Sequence, residues 1–237
     1  MLADLIRVAD QLLVEIRAGY QHSSQTVNRV AADLLQSGIT TAQTINLLLE
    51  NGFFIDAEAR WRALHELACV SRVIATDFNP PEIAKRFVVN GRRLHEDHVA
   101  YSEPWASGTR FYTWNYEWLR ESHPLTDKKG KPIRLSQKWL FDQAAFESAP
   151  FAEWIRPSHG PVHLNSETVT RGTEQDGPAP AGYDATVVSQ VAWQTAASTY
   201  ELVSHVLMLA SMQAIDEVRA IAWQDLCLLY TSDAADE

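Results

Sequence analysis

Cysteine is almost missing from this chain: its 237 residues hold only Cys69 and Cys227. Two thiols cannot make a disulfide framework, so a reducing compartment is expected, with the cytoplasm as the default. Glycine and proline are scarce, 10 of each, which excludes collagen-like and low-complexity chains. Basic charge is outweighed, with 20 Lys and Arg against 30 Asp and Glu and a formal net charge of −10. An acidic surface repels phosphate backbones, so a broad nucleic-acid-binding face is disfavoured. The apolar late stretch from Leu202 to Ile215 is too short to span a bilayer and carries His205, so no membrane role is expected. Acids and an Arg interrupt the N-terminal MLADLIRVADQLLVEIRAGY, which does not read as a secretory leader. There is no Gly-rich phosphate loop, no nucleophile elbow and no zinc-type spacing.

What is present suits a folded domain. Hydrophobic residues make up 46% of the chain and charged residues 21%, a balance that excludes disorder. Eight Trp put aromatic packing into the core.

Helical periodicity runs through most of the sequence. Leu2, Leu5, Ile6, Ala9, Leu12, Leu13 and Ile16 recur at helical spacing, with Gly19 as the stop. A second helix is expected from Ser23 or Ser24, carrying Val27, Val30, Ala31, Leu34 and Leu35 and ending at Gly38. A third starts at Thr40 or Thr41 and ends at the Asn51-Gly52 break. A fourth opens near Asp56 and runs to about Thr76. Asn79-Pro80-Pro81-Glu82 is a helix start, because Pro fits the first turn and Glu82 favours the positive helix end.

Further on, Phe111, Trp114 and Trp118 share a helical spacing that says core rather than a base-stacking platform. Thr126 to Arg134 is a basic turn with Lys128, Lys129 and Lys131 exposed. Ser136 begins a short helix through Leu140. The Gly- and Pro-rich stretch from Pro157 to Tyr183 is irregular, and a long helix follows from Asp184. The expected fold is all-α, an irregular multi-helix bundle with one long loop before the C-terminal helix.

The end of the chain reads differently. Residues 227–237, CLLYTSDAADE, resemble codon for codon the translation of a transposase sequencing adapter. The expected organisation is therefore a single helical domain over 1–226, truncated at its C-terminus, with 227–237 as an artefactual tail.

Chemistry concentrates in two places. On the segment 56–77, a helical wheel puts Ala63, Leu64, Leu67, Ala68, Val70 and Ile74 on one face. Glu58, Arg62, His65, Glu66 and Arg72 fall largely opposite, where Glu58–Arg62 and Arg62–Glu66 form a solvent ladder. Arg60 and Ser71 sit near the middle of the apolar face. A guanidinium there either snorkels, pairs, or lines an internal polar pocket. The second place is the loop from Arg156 to Ser166, where His159 and His163 can serve as general base or as loop anchors. His95 and His98 form at most half of a metal site, and no metal or other cofactor is expected.

The run Asp56-Ala-Glu-Ala-Arg60 and then Arg62-Ala-Leu-His-Glu66, with Ser158 and His163 about a hundred residues later, resembles the bacterial family catalogued as domain of unknown function 5677. That family carries an Arg-x-Leu-x-Glu helix and a downstream Ser-x-x-x-His segment in an all-helical domain. The resemblance covers roughly residues 25–220. It departs by one extra residue between Ser158 and His163, so the matching His is either His159 or His163. It implies a helical fold, and Arg62, Glu66, His159 and His163 as a candidate ligand-binding centre, but no activity.

A second similarity is to metal-independent RNases of the HEPN type, in which an Arg and a His on one helix act on RNA across a homodimer. Here it implies Arg60 as phosphate clamp and His65 as acid–base. The two lie about 140° apart on the wheel. A binding or regulatory module is therefore the preferred expectation, and the RNase the alternative.

Overall fold

The computed structural model describes residues 2–20, 26–100, 116–119, 126, 129–131, 135–146, 150–155 and 185–211. Among them the chain is helical, without strands. The elements are α1 (Leu2–Tyr20), α2 (Thr26–Glu50), α3 (Phe54–Ala75), α4 (Pro80–Ala100), a short 3-10 turn (Glu117–Leu119), α5 (Gln137–Ala144), α6 (Phe151–Ile155) and α7 (Ala185–Ser211). No described helix is long and apolar enough to cross a membrane. The adapter-like residues 227–237 and the loop bearing His159 and His163 lie outside the described residues.

Local signals set most helix ends. α2 stops where Gly52 takes φ +80°, a conformation free of strain only for glycine. The Gly52 amide donates to Leu49 and the Phe53 amide to Leu48, satisfying two carbonyls at the helix end. α4 starts at Pro80, and the Asn79 carbonyl accepts from the Glu82 and Ile83 amides. Ser136 caps α5, its side chain accepting from the Trp139 amide at 3.2 Å.

Gly38 breaks the pattern. Instead of ending a helix it sits inside a continuous α2, because it is there for packing rather than for a turn. A Cβ at this position would lie 2.0 Å from Leu202 Cδ2 on α7 and 3.6 Å from Leu64 Cδ1 on α3. The missing side chain lets three helices converge. Gly38→Val should cost about 2 kcal/mol in urea denaturation through overpacking; an unchanged midpoint would show that Leu202 repacks freely.

α3 is the hub. It packs on α2, α4, α5 and α7, while α1 lies on α2 and α7. A helix enclosed on so many sides cannot keep one wet face, and this overturns the helical-wheel reading. Glu58, Arg62 and His65, which the wheel places toward solvent, are buried, and Arg60, which it places on the apolar face, is exposed. Ser71 is buried and donates to the Ala68 carbonyl at 2.7 Å. Trp61 and Leu64 are buried and Leu67 half-buried; Lys129 and Lys131 are exposed.

α7 also packs with polar residues inside. Thr195 and Thr199 return their hydroxyls to the carbonyls of Val191 and Thr195, which removes the cost of burying them. Ser198 and the Gln194 carbonyl both receive the Trp61 indole N–H at 2.9 Å. Trp61 thereby pins α3 to α7.

Candidate functional site

Arg62 and Glu66 are one helical turn apart on α3, and Gln137 at the start of α5 bridges them. Arg62 Nη2 donates to Gln137 Oε1 at 2.8 Å, and Gln137 Nε2 donates to Glu66 Oε2 at 2.8 Å. Tyr116, preceding the 3-10 turn, donates its hydroxyl to Glu66 Oε1 at 2.5 Å. Both carboxylate oxygens are thus occupied by neutral donors, with a guanidinium held through the amide. Burial pulls the Arg62 pKa down, while the charge of Glu66 and then Tyr116 act the other way. Burial, together with the neighbouring Glu66 charge, raises the Tyr116 phenol far above its ordinary range, so the hydroxyl keeps its proton and stays a donor.

Behind Arg62 lies a cavity of about 490 Å³. Its described walls combine the rings of His65, Phe141, Phe146 and Phe151 and the aliphatic Ile155 with the polar groups of Arg62, Gln137, Lys138 and Asp142. Lys138 and Asp142 are exposed and pair at 2.7 Å. α5 presents Gln137, Phe141 and Asp142, and α6 presents Phe151 and Ile155. Ala145, at the end of α5, takes φ 38°, ψ 54°, a left-handed conformation that strains any residue with a Cβ. Ala145→Gly should raise the midpoint of thermal unfolding by about 1 kcal/mol equivalent; no gain would mean that the loss of unfolded-state restriction offsets the relief.

His65 belongs to the floor of the cavity rather than to solution chemistry. Its ring stacks on Trp61 at 5.5 Å and on Phe151 at 4.7 Å, with Phe141 edge-on at 5.0 Å. Its nitrogens face Ser198 Oγ at 3.5 Å and Cys69 Sγ at 3.6 Å. Burial lowers its pKa from the ordinary 6.5 to about 3, because imidazolium loses its hydration there. The Cys69 thiol is pushed far up, first by burial and then by the Glu66 and Glu201 charges. At neutral pH the pair is neutral, so neither member is poised as a nucleophile or a proton carrier.

The depressed His65 has a thermodynamic consequence. The unfolded chain takes up this proton near pH 6.5 and the folded chain only near 3. The contribution to stability is therefore complete above about pH 6.5 and is lost as pH falls toward 3. Each pH unit in that window removes about 1.4 kcal/mol, so stability should drop by about 2 kcal/mol between pH 6.5 and 5. His205, whose pKa burial also lowers, adds in the same direction. His65→Met should flatten the dependence without abolishing it; an unaltered slope would exonerate His65.

Behind Phe146 lies a second polar group. The Arg72 guanidinium stands 5.1 Å from the centre of the Phe146 ring, and His205 lies 5.8 Å from it. His205 Nδ1 meets the Glu201 carbonyl at 2.6 Å; since a carbonyl only accepts, that nitrogen carries the proton.

Among the sequence-predicted residues, Arg62 and Glu66 meet, through Gln137. Arg60 and His65 do not: the one is exposed and the other sealed among aromatic rings. An RNase pair must share an open groove, and this geometry speaks against that role for them. The side chains of His95 and His98 fall outside the described residues. Tyr116 and Gln137 were missed. Tyr116 carried only a core-aromatic signal, and Gln137 none beyond its place after a capping serine.

Residues 28–144 match the model of a family of unknown function (DUF5677). That segment belongs to the family. Arg62, Glu66, Tyr116 and Gln137 all fall within the DUF5677 segment, so the polar network is contained in the matched region. Phe146, Phe151 and Ile155 of the cavity wall, and α7, lie beyond it. Comparison with curated proteins and with solved structures gives no match.

Proposed function

We propose that the protein is a small-molecule binding module whose site is the aromatic-walled cavity beside Arg62. The observation that carries this reading is the union of a 490 Å³ apolar cavity with a fixed polar group at its edge. Binding sites of small molecules have this composition, a few oriented polar groups in a mostly apolar hollow, and volumes of about 300–1,000 Å³. The neutral His65 and protonated Cys69 favour binding over catalysis, since the buried groups nearest the cavity offer no charged acid–base pair at neutral pH. The Arg62–Gln137–Glu66–Tyr116 network holds α5 and the 3-10 turn against α3, which fixes the cavity wall. A binding step would therefore report on those same elements, as expected of a sensory or regulatory part.

The neutral two-ring probe 2-naphthamide tests the reading. It should bind the full chain saturably in ligand-observed NMR. Ile155→Trp, which places a larger group on the wall, should abolish that binding while far-UV circular dichroism is retained. Equal binding to the Ile155→Trp variant would move the site elsewhere.

A further inference from the structure

Gln194, on α7, is fully buried, and neither its Oε1 nor its Nε2 has a hydrogen-bond partner among the described residues. We propose that this amide anchors an internal water site at the junction of α3 and α7. The proposal stands apart from the binding reading above, because Gln194 does not line the 490 Å³ cavity.

Three observations lead to it. First, the amide differs from its polar neighbours on the same helix. Thr195 and Thr199 return their hydroxyls to carbonyls one turn back, and Ser198 accepts the Trp61 N–H at 2.9 Å. Gln194 carries two donor protons and an acceptor oxygen, and burial removes all three from bulk water. Polar groups buried without partners are strongly disfavoured, so the amide calls for a partner that is not one of these side chains.

Second, the residue cannot turn outward. Its backbone carbonyl accepts the Trp61 indole N–H at 2.9 Å across the helix pair, which fixes this turn of α7 against α3. Its relative exposure is 0%, so the amide does not reach solution by stretching past the helix edge.

Third, the chemistry suits water rather than an ion or an organic molecule. An internal water makes about three hydrogen bonds, giving some and accepting others. The amide offers both a donor and an acceptor. Ser198, one turn further along α7, adds a hydroxyl whose oxygen lies 3.5 Å from His65 Nδ1. A hard cation asks for several oxygen ligands, and an anion for several donors or a positive charge. One neutral amide beside one hydroxyl supplies neither set.

The experiment is NMR on the full chain, labelled with ¹⁵N and ¹³C, with the Gln194 amide assigned through its own side-chain carbons. In rotating-frame spectra its protons should show a cross-peak to water with the sign of direct contact. A laboratory-frame peak of the sign given by long-held water should accompany it. No peak, or a peak of the exchange sign alone, would overturn the proposal.

The Ser198 hydroxyl proton exchanges with solvent and could imitate water in these spectra. Ser198→Ala should therefore keep the contact peak, and its loss would overturn the proposal in favour of the hydroxyl. Trp61 retains the Gln194 carbonyl as acceptor in that variant. Should the variant not fold, a crystal structure decides: an ordered oxygen about 2.7–3.2 Å from Gln194 Oε1 or Nε2 is expected, and a dry amide overturns the proposal.

Discussion

Replacing Trp61 by alanine should destabilise the protein by about 4 kcal/mol, within the range for deleting a large buried aromatic. The indole is fully buried, stacks on His65 and meets Trp154 edge-on at 6.4 Å. Its N–H donates to two acceptors on α7. The alanine variant loses the packing on both sides and leaves a cavity at the junction of α3 and α7. Trp61→Phe weights the two contributions differently, since it keeps a six-membered ring but loses the donor and part of the packing; it should cost about 2 kcal/mol. Urea denaturation followed by circular dichroism measures both. A Trp61→Ala loss below about 2 kcal/mol would mean that α7 closes onto the vacated space.

The second large effect concerns Glu66. Glu66→Ala should cost about 3 kcal/mol, because it removes the acceptor of Tyr116 and Gln137 and the carboxylate whose charge favours the cationic form of the buried Arg62. The damage comes from the donors and the cation that lose this carboxylate rather than from the loss of one strong bond. Removing both partners should therefore be milder than removing one. The double variant Arg62→Met, Glu66→Leu should recover at least half of the loss, since well-packed apolar replacements of an ion pair are often neutral. If the double variant is as unstable as the sum of the single changes, Arg62 and Glu66 do not act as a pair.

What the sequence disclosed, and what it hid, follows from the range of the interactions involved. The Asn51-Gly52 break and the start at Asn79-Pro80-Pro81-Glu82 were legible because glycine at positive φ and proline in a first turn act within one helical turn. Ser136 was legible for the same reason. Gly38 was misread because its role depends on Leu202, far along the chain, and no local rule carries that information. The polarity of α3 was misread because a wheel presumes one wet face, and α3 is surrounded.

The site was half legible. Arg62 and Glu66 share a helix turn and could be paired on paper, though as a solvent ladder. Gln137 and Tyr116 join them from distant segments, and glutamine has no pattern that announces a bridging role. The aromatic floor was invisible because His65 read as polar surface, whereas Trp61, Phe141 and Phe151 make it a core ring.

The close approach at Gly38 also bears on where this fold can be cut. Leu202 reaches Gly38 from α7, and Trp61 anchors to the same helix, yet α7 lies outside the DUF5677 segment at 28–144. Excised alone, that segment would present to water the surfaces of α2 and α3 that α7 now covers, among them those at Gly38 and Trp61. Exposed apolar area of that kind drives self-association. The stretch that the family model matches and the stretch that buries its own core therefore have different borders here.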